Sequence, residues 1–220
     1  MVYIMSYSKT EAISLSFKQT KEADRLYTLF SAEQGKVEVL VRSAAKSQSK
    51  LAGSLDIWSL VWVMTAQGKI THLAGVQQLY HWQWKSLLDT ALAAMVSQVT
   101  EGLLPIGVPE SVIYRQFLQV FDFIEKAQDV QAKRFVVLRY FWQSLDRLGY
   151  LLTKSQDWTG AISASTEKLR QHCLANDPGK IMVMKGDLAE LEQFTFSNIR
   201  YIIESDIPAF QWYLWQQTRD

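Results

Sequence analysis

Cysteine is almost missing from this chain: Cys173 stands alone among 220 residues. One thiol closes no internal disulfide and builds no thiolate zinc cluster, so packing must hold the fold, and a reducing compartment is expected. Proline and glycine are scarce too, at four and ten residues, which leaves little room for linkers or low-complexity sequence. No apolar run approaches the roughly 18 residues of a membrane span. The opening MVYIMSYSK has no basic stretch before its short apolar run and no small-residue cleavage site after it, so it does not read as a signal peptide. The expected location is the cytoplasm, with no membrane partner. His72, His81 and His172 lie far apart, each without a ligand at metal spacing. The chain contains no phosphate-cradling glycine loop, nucleophile elbow, HExxH element or clustered carboxylates for two-metal phosphoryl chemistry. No catalytic residue, metal or cofactor is expected, and a nuclease reading finds no support.

What is present suits a well-buried globular protein. Hydrophobic residues make up 48% of the chain, with eight tryptophans, nine tyrosines and ten phenylalanines, and no internal repeat is visible. The formal net charge of +1 hides an asymmetry. Residues 1–80 hold nine Lys and Arg against six Asp and Glu, whereas residues 81–220 hold 14 against 16. The N-terminal part is therefore the better partner for a polyanion.

Hydrophobic periodicity changes once along the chain. In residues 12–18, Ile13, Leu15 and Phe17 alternate with Ser14, Ser16 and Lys18, and in residues 36–42 Val37, Val39 and Val41 alternate with polar neighbours. That is the period of half-buried strands, the second introduced by a Gln34-Gly35 turn. Residues 26–30 read as another strand. Residues 57–65 are apolar on both faces, as for a strand covered on two sides, and Gln67-Gly68 turns the chain into a fifth strand near 69–76. Five short strands in so few residues predict a small antiparallel barrel. From Leu87 the spacing becomes helical, with a stop expected before Pro105. Further helices are predicted over 112–127, 132–148, 163–174, 187–204 and 208–217, with loops at 154–160 and 176–179. Residues 132–148 are apolar nearly all round, which marks a central helix. The fold class is α+β: a barrel domain of residues 1–80 packed, without a flexible linker, on an all-helical domain of residues 81–220.

From Arg42 to Lys50 the chain carries Arg42, Lys46 and Lys50, no carboxylate, and otherwise small or polar side chains. This composition suits a polyanion contact, and equally a solvated surface loop. Lys18, Lys21 and Arg25 form a second basic cluster, but Glu22 and Asp24 interrupt it and favour a solvated hairpin with weak surface pairs.

Several stretches together resemble the bacterial recombination and repair family RecO: EADRLYTLF at 22–30, E-x-G-K at 33–36, the basic loop, LAGSL at 51–55 and, more loosely, EGLLP at 101–105. The similarity spans roughly residues 11–150. Ala45 and Gln48 stand where that family commonly has further cations, and the four-cysteine zinc site of many members has no counterpart here. The resemblance implies an oligonucleotide-binding (OB-type) barrel, binding and annealing of single-stranded and duplex DNA, and a nucleoid-associated role without catalysis. It further implies a mediator acting with RecR that helps the recombinase RecA onto DNA coated with single-strand-binding protein. On that reading, phosphate contacts come from Lys18, Lys36, Arg42, Lys46, Lys50 and Lys69, with counterion release as the driving force and little base specificity. Tyr27, Trp58 and Trp62 are either stacking platforms or core side chains. Arg139, with Lys133 and Arg134, either receives the acidic, apolar-ended tail of the single-strand-binding protein or, in the case of Arg139, pairs internally with Asp122, Glu125 or Asp146. The alternative function is an adaptor of the repair machinery with weak or lost DNA binding.

Overall fold

A computed structural model describes residues 6–20, 23–45, 54–151, 161–175 and 184–217. Its contacts divide the chain into two compact units, residues 1–83 with 100–115, and residues 84–99 with 116–220. The loops expected at 154–160 and 176–179 fall outside the described residues.

Strands β1 (Ser6–Gln19), β2 (Arg25–Ser31), β3 (Gly35–Val41), β4 (Ser59–Gln67) and β5 (His72–His81) close into a barrel in the order β1-β2-β3-β5-β4. The sheet is mixed, which corrects the antiparallel expectation: β3 and β5 run parallel where Leu40 meets His72, while the other four seams are antiparallel. The reason is geometric. Strand directions cannot alternate around a ring with an odd number of members, so a closed five-stranded sheet keeps at least one parallel seam.

Ala12, Tyr27, Leu29, Val39, Val41, Ala44, Leu55, Val61, Val63 and Leu73 form the barrel core. Tyr27, a stacking candidate from sequence, is one of them and is only 2% exposed. The simple alternation expected of β1 also fails. Its register steps from Ser14 opposite Leu29 to Ser16 opposite Thr28, which leaves Leu15 as an extra residue in a bulge. Ile13 opposite Phe30 and Phe17 opposite Tyr27 therefore do not share a face, and Phe17 ends exposed, with the Arg25 guanidinium 4.4 Å above its ring. Residues 57–65 differ as well. Val61 and Val63 point into the core, but Trp62 is 47% exposed, so the strand is not covered on both sides.

Residues 100–115 fasten to this barrel. Thr28 Oγ1 donates to a Glu101 carboxylate oxygen at 3.1 Å, Tyr114 Oη to Glu11 at 3.1 Å, and the Gly107 amide to the Lys36 carbonyl at 2.8 Å. The Tyr114 ring meets Phe30 edge-on at 5.3 Å. Burial and the adjacent Glu11 carboxylate push the Tyr114 hydroxyl far above its ordinary pKa, so it stays a donor.

The helical unit draws on α1 (Leu87–Leu103), α2 (Ser111–Lys126), α3 (Val130–Arg147), α4 (Ala164–Leu174), α5 (Lys185–Ile203) and α6 (Pro208–Gln217). Asp129 caps α3 by accepting from the amides of Gln131 and Ala132, and Ser163 caps α4 through the Thr166 amide. As its composition predicts, α3 is central. Val137, Leu138, Tyr140, Phe141, Trp142 and Leu145 are all buried, and Trp142 Nε1 donates to Thr195 Oγ1 at 3.0 Å. Phe141, Phe196, Phe210 and Tyr213 continue the aromatic packing between α3, α5 and α6. Cys173 is buried, which pushes its thiol up to about 12. No helix of the described residues is long and apolar enough to cross a membrane.

Gly35 opens β3 with φ +67, and a Cβ there would collide with the Val108 carbonyl. Gly35→Ala is expected to lower the unfolding free energy by about 2 kcal/mol or more. Gly186→Ala, in α5 with open space around it, should raise it by roughly 0.5 to 1 kcal/mol. Urea unfolding of the two variants checks both signs.

Candidate nucleic-acid interface

Closing β3 against β5 brings three separate chain segments to one wall of the barrel. Val37, Glu38, Leu40 and Arg42 come from β3 and its end. Leu26 comes from β2, with Thr20 and Asp24 before it, and Lys69, Ile70, Thr71 and His72 come from the β4–β5 connection. With Ile106 they line a groove of about 760 Å³. Leu26 and Leu40 face each other across the β2–β3 pair and His72 follows Leu40 on β5, so the floor is apolar and the rims are polar. Arg42 and Lys69 are both exposed on those rims.

The remaining predicted cations divide. Lys18 is exposed on β1 directly opposite Leu26 and so stands beside the groove. Lys36 is half-buried, and its ammonium donates to the Glu101 carbonyl oxygen. Burial lowers its pKa, with Glu101 and Glu38 opposing and Lys18 adding to the drop. Lys36 is thus committed within its own unit. Lys46 and Lys50 lie outside the described residues, but the chain on either side of them is fixed. Ala44 and Leu55 are both in the barrel core, the Ser43 amide donates to Asp24 Oδ1 at 2.8 Å, and the Ala45 amide to the Ala23 carbonyl at 2.9 Å. Asp24, which looked in sequence like an interruption of a basic cluster, serves as the acceptor that sets this turn. Ser43 takes the left-handed conformation, φ 55, within it.

Sequence reasoning did not place Thr20, Leu26, Leu40, Ile70, His72 or Ile106 at a site. The available signal was in β2, whose RLYTLFS is apolar at both alternating sets of positions, more than one buried face requires. Arg25 lies over Phe17, with Nε 3.5 Å from Gln19 Oε1.

Residues 5–81 match the family described as Recombination protein O N terminal. This part of the chain is similar to a RecO N-terminal domain. Similar proteins extend the likeness beyond that domain. A DNA repair protein RecO of Geobacter metallireducens is 25% identical over 153 residues, 68% of this chain and 61% of that protein. One of Syntrophobacter fumaroxidans is 24% identical over 150 residues, 67% of this chain and 59% of that protein. The chain thus spans about three fifths of the length of these two relatives. A DNA repair protein RecO of Dehalococcoides mccartyi is 24% identical over 241 residues, 93% of this chain and 94% of that protein. The groove lies wholly within the unit that contains the matched residues 5–81.

The three cations expected to hold a partner's tail sit in the helical unit, and two already have carboxylates. Lys133 Nζ meets Asp89 at 2.6 Å, with both side chains nearly inaccessible. Arg134 grips Glu192 with two hydrogen bonds, of 2.8 and 2.6 Å, and Glu192 also accepts from Tyr213 Oη at 2.6 Å. Burial works against the Arg134 charge, yet these bonds hold its pKa above the ordinary value. Arg139 is half-buried and, with the Gln143 amide oriented to suit its neighbours, donates from Nε and Nη2 to that amide oxygen, each at 3.2 Å. The partners of Lys133 and Arg134 are thus distant in sequence.

Lys133→Met leaves Asp89 buried without its partner and is expected to cost about 3 to 5 kcal/mol of stability. Adding Asp89→Leu should recover most of that loss, as measured by chemical unfolding of the single and double variants.

Proposed function

We propose that this protein is a non-enzymatic mediator of recombinational DNA repair whose barrel is of the OB type and holds DNA in the Arg42–Lys69 groove. One observation carries the reading: the chain brings exposed cations from β3 and from the β4–β5 connection to the two rims of one groove on the β2–β3 wall. In OB barrels that wall, flanked by the β1–β2 and β4–β5 loops, is where oligonucleotides bind. Lys18 extends the cationic rim, and Lys46 and Lys50 follow Arg42 by four and eight residues in the chain. Lysine and arginine contacts of this kind neutralise phosphates by displacing counterions and read no bases. That is the chemistry an annealing protein requires, since it must hold any sequence.

The relatives named DNA repair protein RecO support the biological setting, a cytoplasmic repair system in which this chain would work with RecR and with single-strand-binding protein. On this reading the barrel unit serves DNA and the helical unit serves protein partners. The internal pairing of Lys133 with Asp89 and of Arg134 with Glu192 weighs against these two as the tail-binding cations.

A second reading, an adaptor with weak DNA affinity, is favoured by a specific observation. Asp24 and Glu38 also line the groove, and Lys36 is engaged by Glu101, so the net positive charge there is small.

Salt dependence separates the two. With Lys18, Arg42 and Lys69 on phosphates, log K for a single strand against log salt should fall with a slope of roughly −2. Arg42→Glu with Lys69→Glu should flatten that slope and reduce annealing of oligonucleotides coated with single-strand-binding protein by about tenfold or more. A wild-type slope near zero, with partner binding retained, selects the adaptor; unchanged annealing in the double variant removes the groove from the mechanism.

A further inference from the structure

The barrel carries a second exposed wall that the groove does not use. On the outward side of β1, β4 and β5, Tyr7 is 60% exposed, Trp62 47% and Tyr80 43%. Strand register fixes their order. Tyr7 lies opposite Ala66, Lys9 opposite Met64, Trp62 between Glu11 and Gln77, and Tyr80 opposite Leu60. Same-face neighbours on a strand stand roughly 7 Å apart, about twice the roughly 3.4 Å rise of stacked bases. Trp62 and Tyr80 are one such step apart along the strands and Tyr7 and Trp62 two steps, and rings this widely spaced suit a strand drawn out of its stack, since the base faces of an intact duplex are already covered. Tyr80 is steadied by an edge-on contact with buried Trp82 at 5.2 Å.

Charge along this wall also suits a nucleic acid. Lys9 is exposed, and the carboxylate in the row, Glu11, is engaged by the Tyr114 hydroxyl. The centre of a protein–protein interface is usually a contiguous apolar patch depleted of charge. Here the rings alternate with Lys9, Glu11 and Gln77 instead. The wall is continuous with the groove, because Leu40 and His72 of the groove lie in one row with Ala66 and Tyr7 around the barrel.

We propose that a single DNA strand leaving the Arg42–Lys69 groove passes over His72 onto the Tyr7–Trp62–Tyr80 wall, where its unpaired bases stack on the rings. This rests on the groove reading and names its substrate as single-stranded DNA rather than duplex. Base–aromatic stacking tolerates any sequence, because every base has a π face.

The test uses the whole chain and fluorescence anisotropy with a labelled oligothymidylate and a duplex of equal phosphate number, for wild type, Trp62→Ala, Tyr80→Ala and Trp62→Phe. Each alanine variant is expected to raise Kd for the oligothymidylate about fivefold or more and to leave Kd for the duplex within about twofold. The salt slope should not change, since no cation is removed, and Trp62→Phe should keep most of the affinity. Equal losses on both DNAs, or unchanged oligothymidylate binding, overturn the stacking path; in the second case the rings belong to a protein surface. The groove reading survives either result if Arg42→Glu with Lys69→Glu still flattens the slope, and it falls by itself if wild type shows no salt-dependent binding.

Discussion

Everything at the candidate site depends on the single parallel seam between β3 and β5. A ring of five strands must contain such a seam, and this one is narrow, pairing Leu40 with His72. Because β5 enters beside the end of β3, the turn that precedes β5 comes to rest next to the residues that follow β3. Lys69 and Arg42 become neighbours of one groove for that reason alone. Without closure the β4–β5 connection would hang from a hairpin edge, and the groove would lose one of its walls.

The second constraint is how residues 100–115 serve the barrel unit. Glu101, Gly107, Val108 and Tyr114 bind to Thr28, Lys36, Gly35 and Glu11. They hold the segment against the barrel, where Ile106 lines the groove, and draw Lys36 into structural duty. Charge is consumed in the helical unit as well, where Asp89 and Glu192 take Lys133 and Arg134. Buried pairs of this kind are poor stabilisers compared with apolar packing, but each leaves a costly orphan if broken. The formal charge of a segment is therefore a weak guide to what that segment offers a partner.

Legibility from sequence followed the range of the forces involved. Strand and helix positions rest on local periodicity, so β3, α1, α3 and α6 were readable to within a few residues. The central place of α3 followed from its apolar girth. Exposure of Arg42 and Lys69 followed from their charge, but that they share one groove did not, because it depends on closure of the barrel. The bulge at Leu15 was not readable, because one inserted residue exchanges the faces of a strand without altering its composition. Nor were the fates of Lys36, Lys133 and Arg134, whose partners lie 44 to 65 residues away. Apolar character in 57–65 suggested burial on both sides, yet Trp62 is exposed, and alternation cannot tell a covered ring from an uncovered one.

The sole sulfhydryl has a practical corollary. Cys173 is shielded within the helical unit and keeps its proton at any physiological pH, and thiolate is the species that reacts with maleimides and oxidants. The folded chain thus offers a chemically silent background, on which one engineered surface cysteine could be dyed or spin-labelled without first removing the native residue.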